Sequence, residues 1–375
     1  MKHILSLCFS LLLISFSSLA QPIKWWNPAQ ATYPVIEGRA WHTNLVRPYD
    51  RLPAKAEKTV RDAVWSLGQN TAGEYIKFTT NATEITVRYQ VTKSKSMDHM
   101  PATGVSGVDL YGLDANNNWQ WIRGAYSFGD TVHYKFTNVI STVPFKEFRL
   151  YLPLYNIPKW MQVGVPDGKS FTPIEVNKEP ALVMYGTSIM QGACASRPGL
   201  AWTNILGRKL NLPIVNLGFS GNGRLEPPVI DLLNETNARL FVLDCQPNLV
   251  DKKVYSGGEI ENRIRTSVKS LQAKHPDVPI LLVEHSCGVP EVGVDTTFFN
   301  RYKWSSEVMN KTFTAMKKEG VKHIYLLTAK EIGFDAASTV DGTHPTDIGM
   351  MKYAAAYEKV IKGILGRRKG NKKKD

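Results

Sequence analysis

The sequence predicts two consecutive domains, a smaller β-sandwich or jelly-roll-like domain followed by an α/β domain with a doubly wound parallel sheet. Two patterns support this prediction. Between residues 74 and 152, short segments alternate apolar and polar residues and repeat at roughly 10-residue spacing, which is typical of an antiparallel sandwich. Beyond residue 180, continuous apolar runs alternate with stretches of helical length, which is typical of parallel strands covered on both faces.

The first 20 residues have the composition of a secretory signal peptide. Lys2 precedes an apolar stretch from Ile4 to Phe16, and the small residues Ser18 and Ala20 mark a cleavage site. Because the apolar stretch is too short to span a bilayer, a retained membrane anchor is disfavoured. We therefore expect a secreted or periplasmic protein without stable membrane insertion, whose mature chain begins near Gln21.

The β-sandwich domain is expected over residues 38–165, after a lead-in of residues 21–37. Its predicted strands are residues 74–80, 84–91, 105–113, 119–125, 132–139 and 146–152, separated by turn-forming residues. Trp119 and Trp121 lie two residues apart and therefore share one face of a strand. They could fill the core, which we favour, or form a platform for carbohydrate.

Residues 166–180 are rich in Gly, Pro, Asp and Lys and are expected to connect the two domains. The α/β domain is expected over residues 181–366. Its predicted strands are Ala181 to Tyr185, Ile214 to Leu217, Leu240 to Leu243, Ile280 to Val283 and Ile324 to Leu327. The active crevice of such a domain lies at the carboxyl ends of the strands.

The charge and the cysteines exclude several classes of protein. The formal net charge is +13, but a basic tail at residues 367–375 carries six cations and one anion. This tail could be a solvated end or could attract an anionic surface. Basic residues are not interleaved with stacking aromatics, so we expect no nucleic-acid partner. The cysteines after residue 20, Cys194, Cys245 and Cys287, have no zinc-ligand spacing, so we expect buried free thiols, no metal and no cofactor.

Polar residues follow the predicted strands where the crevice is expected. Ser188 comes after the first strand, Gly218 after the second and Asn248 after the third, while Asp341 and His344 precede the last helix. A serine hydroxyl becomes a nucleophile when an imidazole takes its proton and a carboxylate orients that imidazole. Asp341 and His344 are three residues apart, so one loop could present both to Ser188.

The same strand ends could stabilise the oxyanion of an acyl-transfer intermediate. The N–H groups of Ser188 and Gly218 and the side-chain amide of Asn248 could supply three donors. The nucleophile elbow of α/β-hydrolases is excluded, because it requires glycine two residues after the serine and Met190 stands there.

In these motifs the chain resembles the SGNH hydrolases, also called GDSL-like esterases, which have a flavodoxin-like α/β domain. The nucleophile, the oxyanion-hole glycine and asparagine, and the histidine of the family map onto Ser188, Gly218, Asn248 and His344, and Asp341 matches its Asp-x-x-His block. The front domain is similar to that of a bacterial subgroup with a Gly-x-Asp-Leu-Tyr signature, here residues 107–111.

Two positions depart from the wider family. Where the family usually has Gly-Asp-Ser, this chain has Gly-Thr-Ser, with Thr187 before the serine. Where the family usually has Gly-x-Asn-Asp, residues 246–249 of this chain are Gln-Pro-Asn-Leu. The first change leaves the nucleophile in place, whereas the second changes the surroundings of Asn248. Both departures fit the subgroup.

The resemblance implies an exported serine esterase that acts on short-chain acyl esters, with O-acetyl groups on carbohydrate as the expected substrate. Arg197, Arg224 and Glu284 are candidate contacts for a polar substrate or an acetylated glycan. Two other functions stay open: a glycan-binding protein with an idle hydrolase-like domain, and a lipase for longer acyl chains. The oligomeric state is not predicted.

Overall fold

A computed structural model describes residues 21–137, 139, 145–289, 291, 293 and 295–371 of the chain. The predicted signal peptide and residues 372–375 of the basic tail lie outside these residues. The described chain has two antiparallel sheets followed by a five-stranded parallel sheet with helices, as predicted. None of its described helices combines the length and the apolar content that a membrane span requires.

The front domain is a sandwich of two antiparallel sheets. One sheet has the strand order β1-β10-β4-β8-β7, and the other has the order β11-β3-β9-β5-β6 with β2 paired to β3. Along β8, every second side chain is buried between the sheets, as the alternating pattern predicts. In chain order the strands are β1 (Ile23–Trp26), β2 (Ile36–Glu37), β3 (Tyr75–Thr80), β4 (Glu84–Val91), β5 (Asp109–Asp114), β6 (Trp119–Ile122), β7 (Ala125–Phe128), β8 (Val132–Thr137), β9 (Phe145–Tyr151), β10 (Pro158–Pro166) and β11 (Phe171–Pro173).

The predicted strand at residues 119–125 is in fact two strands that belong to different sheets. The chain leaves β6 and enters β7 through a corner at Arg123 and Gly124. A Cβ atom at Gly124 would lie 2.8 Å from the ring of Phe136, so the corner packs too closely for a side chain. The local sequence sign of this corner is Gly124, which also occurs inside strands, so the sequence does not separate the two strands.

Strands also occur where the sequence predicts a lead-in or a connection. Strands β1 and β2 lie within residues 21–37 and pair with β10 and β3. Strand β11 lies within residues 166–180 and also pairs with β3. Strands of two to four residues are too short to establish an alternating pattern, so these segments contribute to the sandwich without a sequence signal.

The second domain is built on a parallel sheet with the order β13-β12-β14-β15-β16. Every residue of β12 is buried, as expected for a strand covered on both faces. The strands are β12 (Ala181–Gly186), β13 (Ile214–Gly218), β14 (Ala238–Asp244), β15 (Ile280–Val283) and β16 (Ile324–Leu327). The helices of the described chain are α1 (Asp62–Gly68), α2 (Ala102–Val105), α3 (Ser188–Gln191), α4 (Trp202–Leu210), α5 (Pro227–Leu233), α6 (Gly257–Lys274), α7 (Thr296–Lys318), α8 (Ala329–Ile332) and α9 (Asp347–Asn371).

A segment from the front part of the chain completes the core of the second domain. Leu52 and the α1 residues Val64 and Trp65 belong to the same buried cluster as Val183 and Phe241 of the parallel sheet. Residues 52–65 therefore pack with the α/β domain, although they precede most of the sandwich strands. The two domains share a common apolar core along this contact.

Candidate active site

Ser188 lies where the central strand β12 ends and the one-turn helix α3 begins. The side chain is mostly buried, and its backbone N–H finds no acceptor among the described residues. An N–H at the first turn of a helix is free to donate to a ligand. The position matches the prediction that this serine stands at the carboxyl edge of the sheet.

Ser188, His344 and Asp341 form a continuous hydrogen-bond chain. The Oγ atom of Ser188 lies 2.8 Å from Nε2 of His344, and Nδ1 of His344 lies 2.7 Å from Oδ2 of Asp341. Because an ionised carboxylate only accepts, Nδ1 carries the proton and Nε2 is left to accept from the serine hydroxyl. This arrangement can activate the serine as a nucleophile.

The loop that carries His344 also keeps Asp341 ionised. Burial by itself would raise the pKa of Asp341, but hydrogen bonds from the His344 N–H and ring and from the Thr343 N–H lower it below the ordinary value. The backbone N–H groups of His344 and Thr343 lie 2.8 and 3.0 Å from Oδ1 of Asp341. The hydroxyl of Tyr302 lies 2.6 Å from that of Thr343, and this hydrogen bond connects the loop to α7.

The loop after β13 does not present Gly218 as the sequence predicts. Gly218 is buried, and its N–H donates to Oδ1 of Asn216 at 2.9 Å. Four more N–H groups between residues 219 and 223 donate to other parts of the chain. The N–H of Phe219 donates to Gly186 O, that of Ser220 to Gln191 Oε1, that of Asn222 to Phe219 O and that of Gly223 to Asn248 Oδ1. Only the N–H of Gly221 has no acceptor among the described residues.

Gly221 has the properties of an exposed backbone donor. Its φ of +69° is strained for any residue with a side chain, and nothing lies within 4 Å of the place where a Cβ would stand. The neighbouring Gly223 packs directly on the residues before the serine, because its Cβ would lie 2.1 Å from Gly186 O. Sequence reasoning missed Gly221; the Gly-x-Gly turn in which it stands was its only local signal.

Asn248 follows β14 in a single helical turn at the same edge of the sheet. Its Oδ1 accepts the N–H of Gly223 at 3.0 Å, which orients the amide. Its Nδ2 has no acceptor in the part of the chain that the structure describes. The amide is therefore free to donate, as the sequence predicts.

Two of the three predicted substrate contacts have structural partners instead. Both carboxylate oxygens of Glu284 are engaged, one by Nδ2 of Asn310 and the other by the N–H of Ala329, each at 2.9 Å. Arg224 is half-buried beside the candidate oxyanion loop, where its Nε donates to Gly221 O at 3.0 Å. Arg224 therefore stays a candidate contact, whereas Glu284 ties α7 to the start of α8.

Arg197, the third candidate, belongs to a contact between the domains that we call the latch. Asp109 of the Gly-x-Asp-Leu-Tyr signature accepts from Nη1 of Arg197 at 2.5 Å, from the N–H of Gly199 at 3.0 Å and from Nε1 of Trp121 at 2.7 Å. Nη1 of Arg197 also donates to the hydroxyl of Tyr111. The signature thus docks the front domain on the loop that follows the serine.

A second contact between the domains, which we call the clamp, is formed by Arg51. This side chain is fully buried and donates only to backbone carbonyls. The acceptors are the carbonyls of Asn70 at 2.7 Å, Asn216 and Leu67 at 2.8 Å and Gly218 at 3.1 Å. The clamp therefore holds the end of β13, from which the candidate oxyanion loop starts. The sequence contains no signal that separates Arg51 from a surface arginine.

The front domain also reaches the serine and the histidine themselves. The hydroxyl of the buried Tyr155 donates to the carbonyl of Ser188 at 3.1 Å. The ring of the exposed His99, in the turn from Met97 to Met100, lies 5.7 Å from the ring of His344. Both domains therefore form the rim of the candidate site.

The cysteines and acidic residues give no sign of a metal centre. Among the described residues, no group of three or more His, Cys, Asp or Glu side chains is placed to hold a metal ion. Cys194, Cys245 and Cys287 are free, and the first two are buried. Burial and then the nearby charge of Asp341 raise the pKa of the Cys194 thiol to about 12, so it is not a nucleophile. The absence of a cofactor stays a prediction.

Comparisons with known proteins agree on both domains. Residues 179–362 match the model of the GDSL-like lipase/acylhydrolase family, and residues 23–171 match the GxDLY model, the N-terminus of SGNH-hydrolase-type esterases. A protein of Bacteroides ovatus assigned as a GDSL-like lipase has a similar crystal structure. It is 30% identical with a TM-score of 0.82, and the match covers 92% of this chain and 98% of that one.

Two more distant structures share the fold. A salicylyl-acyltransferase from a tetracycline biosynthetic pathway is 18% identical with a TM-score of 0.68, over 92% of this chain and 98% of that one. A family two carbohydrate esterase from Cellvibrio japonicus is 11% identical with a TM-score of 0.53, over 92% and 99%. No curated protein matches the chain significantly.

Proposed function

Because the chain belongs to the GDSL-like lipase/acylhydrolase family, we propose that it is an exported serine esterase that hydrolyses short-chain acyl esters, chiefly O-acetyl esters of carbohydrate. The observation that carries this proposal is the hydrogen-bond chain from Ser188 through His344 to Asp341 at the carboxyl edge of the sheet. The predicted signal peptide supports export.

In the proposed reaction, Oγ of Ser188 attacks the ester carbonyl while Nε2 of His344 takes the hydroxyl proton. The C–O bond to the alcohol breaks as His344 returns that proton to the leaving oxygen, and an acyl-serine remains. Water then attacks the acyl-serine and gives one proton to His344. The bond between the acyl carbon and Oγ of Ser188 breaks as His344 returns that proton to Oγ, and the carboxylic acid is released. Asp341, kept ionised by its hydrogen bonds, holds the imidazole in the productive tautomer.

The oxyanion would be held by three donors, the N–H groups of Ser188 and Gly221 and Nδ2 of Asn248. Gly221 takes the place that the sequence predicts for Gly218, because the N–H of Gly218 is already bonded to Asn216. Each of the three groups lacks an acceptor among the described residues and is free when the substrate arrives. A single donor of this kind is typically worth about 2.7 to 4 kcal/mol of barrier.

Carbohydrate as the alcohol partner is supported by the fold shared with the carbohydrate esterase of Cellvibrio japonicus. At 11% identity this similarity extends to the fold and leaves the substrate to experiment. The family description covers lipases as well, so acyl length needs a direct comparison. Acetyl and octanoyl esters of one aryl alcohol separate the two possibilities, and we expect faster turnover of the acetyl ester.

The central experiment compares Ser188→Ala with the parent enzyme on an aryl acetate and on a panel of acetylated polysaccharides. We expect turnover to fall by at least about 10³-fold, with an unchanged unfolding midpoint. The matched control is Ser270→Ala on α6, whose hydroxyl accepts from Nδ2 of Asn234, and this variant should keep full activity. Undiminished acetate release by Ser188→Ala would end the proposal.

A further inference from the structure

Strands β6 and β7 are edge strands of the two sheets of the front domain and are joined by the corner at Arg123 and Gly124. A cavity of about 350 Å³ lies between these two edge strands, within the size range of small-ligand sites. Its floor is formed by core side chains, among them Val108, Tyr134 and Phe136, and its rim is polar. An apolar floor with a polar rim is the usual composition of a ligand site.

One wall of the cavity is an immobilised but exposed indole. Trp121 donates through Nε1 to Asp109 at 2.7 Å, and the guanidinium of Arg197 lies 4.3 Å from the centre of its ring. The side chain nevertheless remains 47% exposed. The sequence favours a core position for Trp121, but the side chain instead presents an exposed ring that the latch holds in one orientation.

The cavity is also lined by an exposed tyrosine from the other sheet. Tyr126, on β7, is 57% exposed, and its ring rests against that of Tyr134 at 5.3 Å. The C–H groups on the flat face of a pyranose carry partial positive charge and pack on the negative face of an aromatic ring. Two exposed aromatic side chains that line one cavity form a suitable platform for such a ring.

The rim of the cavity carries an unbalanced positive charge. Arg123, at the corner between β6 and β7, is exposed and makes no ion pair or hydrogen bond with any described residue. The charge of Arg197, by contrast, is balanced by Asp109. A free guanidinium favours a carboxylate, which it can bind through two parallel hydrogen bonds.

The cavity and the candidate active site both lie along the contact between the two domains, which we call the seam. The seam includes the clamp, the latch and the segment from Met97 to Val105. In the segment from Met97 to Val105, His99 lies beside His344, and Thr103 lines the cavity. The hydroxyl of Thr103 donates to the carbonyl of Ser196, which also lines the cavity. Ser196 in turn bonds Asp347, three residues after His344.

We propose that this cavity is a sugar-binding subsite for a hexuronate residue, with the pyranose ring packed on the aromatic side chains of Trp121 and Tyr126 and its carboxylate on Arg123. The inference rests on the proposed function, because it makes the substrate an acylated acidic glycan. The subsite would capture the polymer at a sugar unit that carries no scissile ester. Binding at the subsite requires no chemistry at Ser188.

The test is a calorimetric titration of Ser188→Ala with oligosaccharides of galacturonate, glucuronate or mannuronate and with neutral oligosaccharides of equal length. At least one acidic series should bind at least about tenfold more tightly than its neutral counterpart, and added salt should narrow that gap. In the same background, Tyr126→Ala should weaken binding of the acidic sugar at least about tenfold. Arg123→Gln should remove the preference over the neutral sugar.

Two control variants match these changes elsewhere on the surface. Tyr33→Ala removes another exposed tyrosine and Lys274→Gln removes another exposed charge, and both should bind as the parent does. Equal unfolding midpoints establish that every variant is folded. The inference is wrong if no acidic series is preferred, or if Tyr126→Ala and Arg123→Gln bind normally. Failure of the proposed function would be recognised separately, because the parent and Ser188→Ala would then turn over an aryl acetate at the same rate.

Discussion

Arg51 in the clamp and Arg197 in the latch both cross the seam between the domains, but their guanidinium groups meet different partners. Arg51 is wholly buried and bonds four backbone carbonyls. Arg197 is about a quarter exposed and bonds the carboxylate of Asp109 and the hydroxyl of Tyr111. The clamp therefore fixes the path of the main chain, whereas the latch consists mainly of side-chain hydrogen bonds around one carboxylate.

The carboxyl groups next to the two contacts, Asp109 in the latch and Glu74 beside the clamp, also differ in their hydrogen bonds. Asp109 accepts three hydrogen bonds, while neither oxygen of the buried Glu74, beside Arg39 and Arg51, accepts one from a described residue. Burial raises the pKa of both groups, and neighbouring arginines oppose the rise. Glu74 has an ion pair of 3.8 Å with Nη1 of Arg39 but no hydrogen bond from a described residue, and its pKa reaches about 8. The clamp is therefore the more costly contact to disturb and the more sensitive to pH.

The largest effect is expected from Arg51→Met, which keeps the apolar stem and removes the donors. Four carbonyl groups lose their partner in a buried place, and Glu74 loses a neighbouring charge. We expect the free energy of unfolding to fall by about 3 to 5 kcal/mol, measured by chemical denaturation.

The control for Arg51→Met is Arg265→Met on α6. Arg265 pairs with Glu261 and Glu319 at the surface, where an ion pair contributes little. Esterase activity should fall further in Arg51→Met than in Arg265→Met, because the clamp holds Gly218 at the start of the candidate oxyanion loop. Equal losses of stability in the two variants would contradict the distinction between buried and surface arginines.

The next effect is a pH dependence that Glu74→Gln should remove. The folded pKa of about 8 lies above the reference value of 4.5, so the folded state binds the extra proton between these pH values. The contribution of Glu74 to stability is therefore complete below pH 4.5 and is lost as the pH rises to 8, at up to about 1.4 kcal/mol per unit.

Denaturation curves of parent and Glu74→Gln between pH 5 and pH 9 measure this contribution by difference. Other buried carboxyls with raised pKa values, Asp50, Asp109 and Asp244, are present in both proteins, so the difference between the two curves reports chiefly on Glu74. The variant should gain stability relative to the parent up to about pH 8 and no further. Parallel curves over the whole range would show that Glu74 is ionised in the folded protein.

A smaller loss is expected from Asp109→Asn, which keeps an acceptor oxygen in the latch but removes its charge. The charge of Arg197 is then unbalanced in a partly buried place, at a cost of about 1 to 3 kcal/mol in the free energy of unfolding. Glu235→Gln breaks the exposed pair with Lys55, which also joins the two parts of the chain, and should cost at most about 1 kcal/mol. The latch would count as a surface contact if the two variants were equally stable.

The sequence predicts the frame of the site better than its contacts. The five parallel strands are found within two residues of their predicted ends, because strands buried on both faces are continuous apolar runs. Ser188, Asn248, Asp341 and His344 follow from those ends. Gly218 and Gly221 stand three residues apart in one loop, and only the side chain of Asn216 decides which N–H is free.

Contacts between residues distant in the sequence explain the other differences between the predicted and the observed site. Arg197 and Glu284 stand near the expected crevice, as a substrate contact would, but residues distant in the sequence engage their charged groups. Arg51 has no local feature that indicates burial, because its acceptors are carbonyls whose positions depend on the complete fold. Hydrophobic periodicity therefore locates elements, whereas the pairing of polar groups needs the three-dimensional structure.

The smallest expected effect separates contacts that support the fold from contacts that support the chemistry. Tyr155 and Tyr89 are both buried tyrosines of the front domain, and each donates its hydroxyl to a backbone carbonyl, of Ser188 at 3.1 Å and of Ser106 at 2.6 Å. Removing either hydroxyl by substitution with phenylalanine should cost about 1 kcal/mol of stability. Only the first substitution removes a hydrogen bond from the proposed nucleophile.

We therefore expect Tyr155→Phe to lower kcat on an aryl acetate several-fold with little change in KM, and Tyr89→Phe to leave both unchanged. The reason is that the carbonyl of Ser188 accepts the N–H groups of Gly192 and Ala193, so its position also sets the end of α3. Equal kcat values in the two variants, at equal losses of stability, would mean that Tyr155 supports the fold alone. The seam would then act on catalysis only through the clamp and the latch.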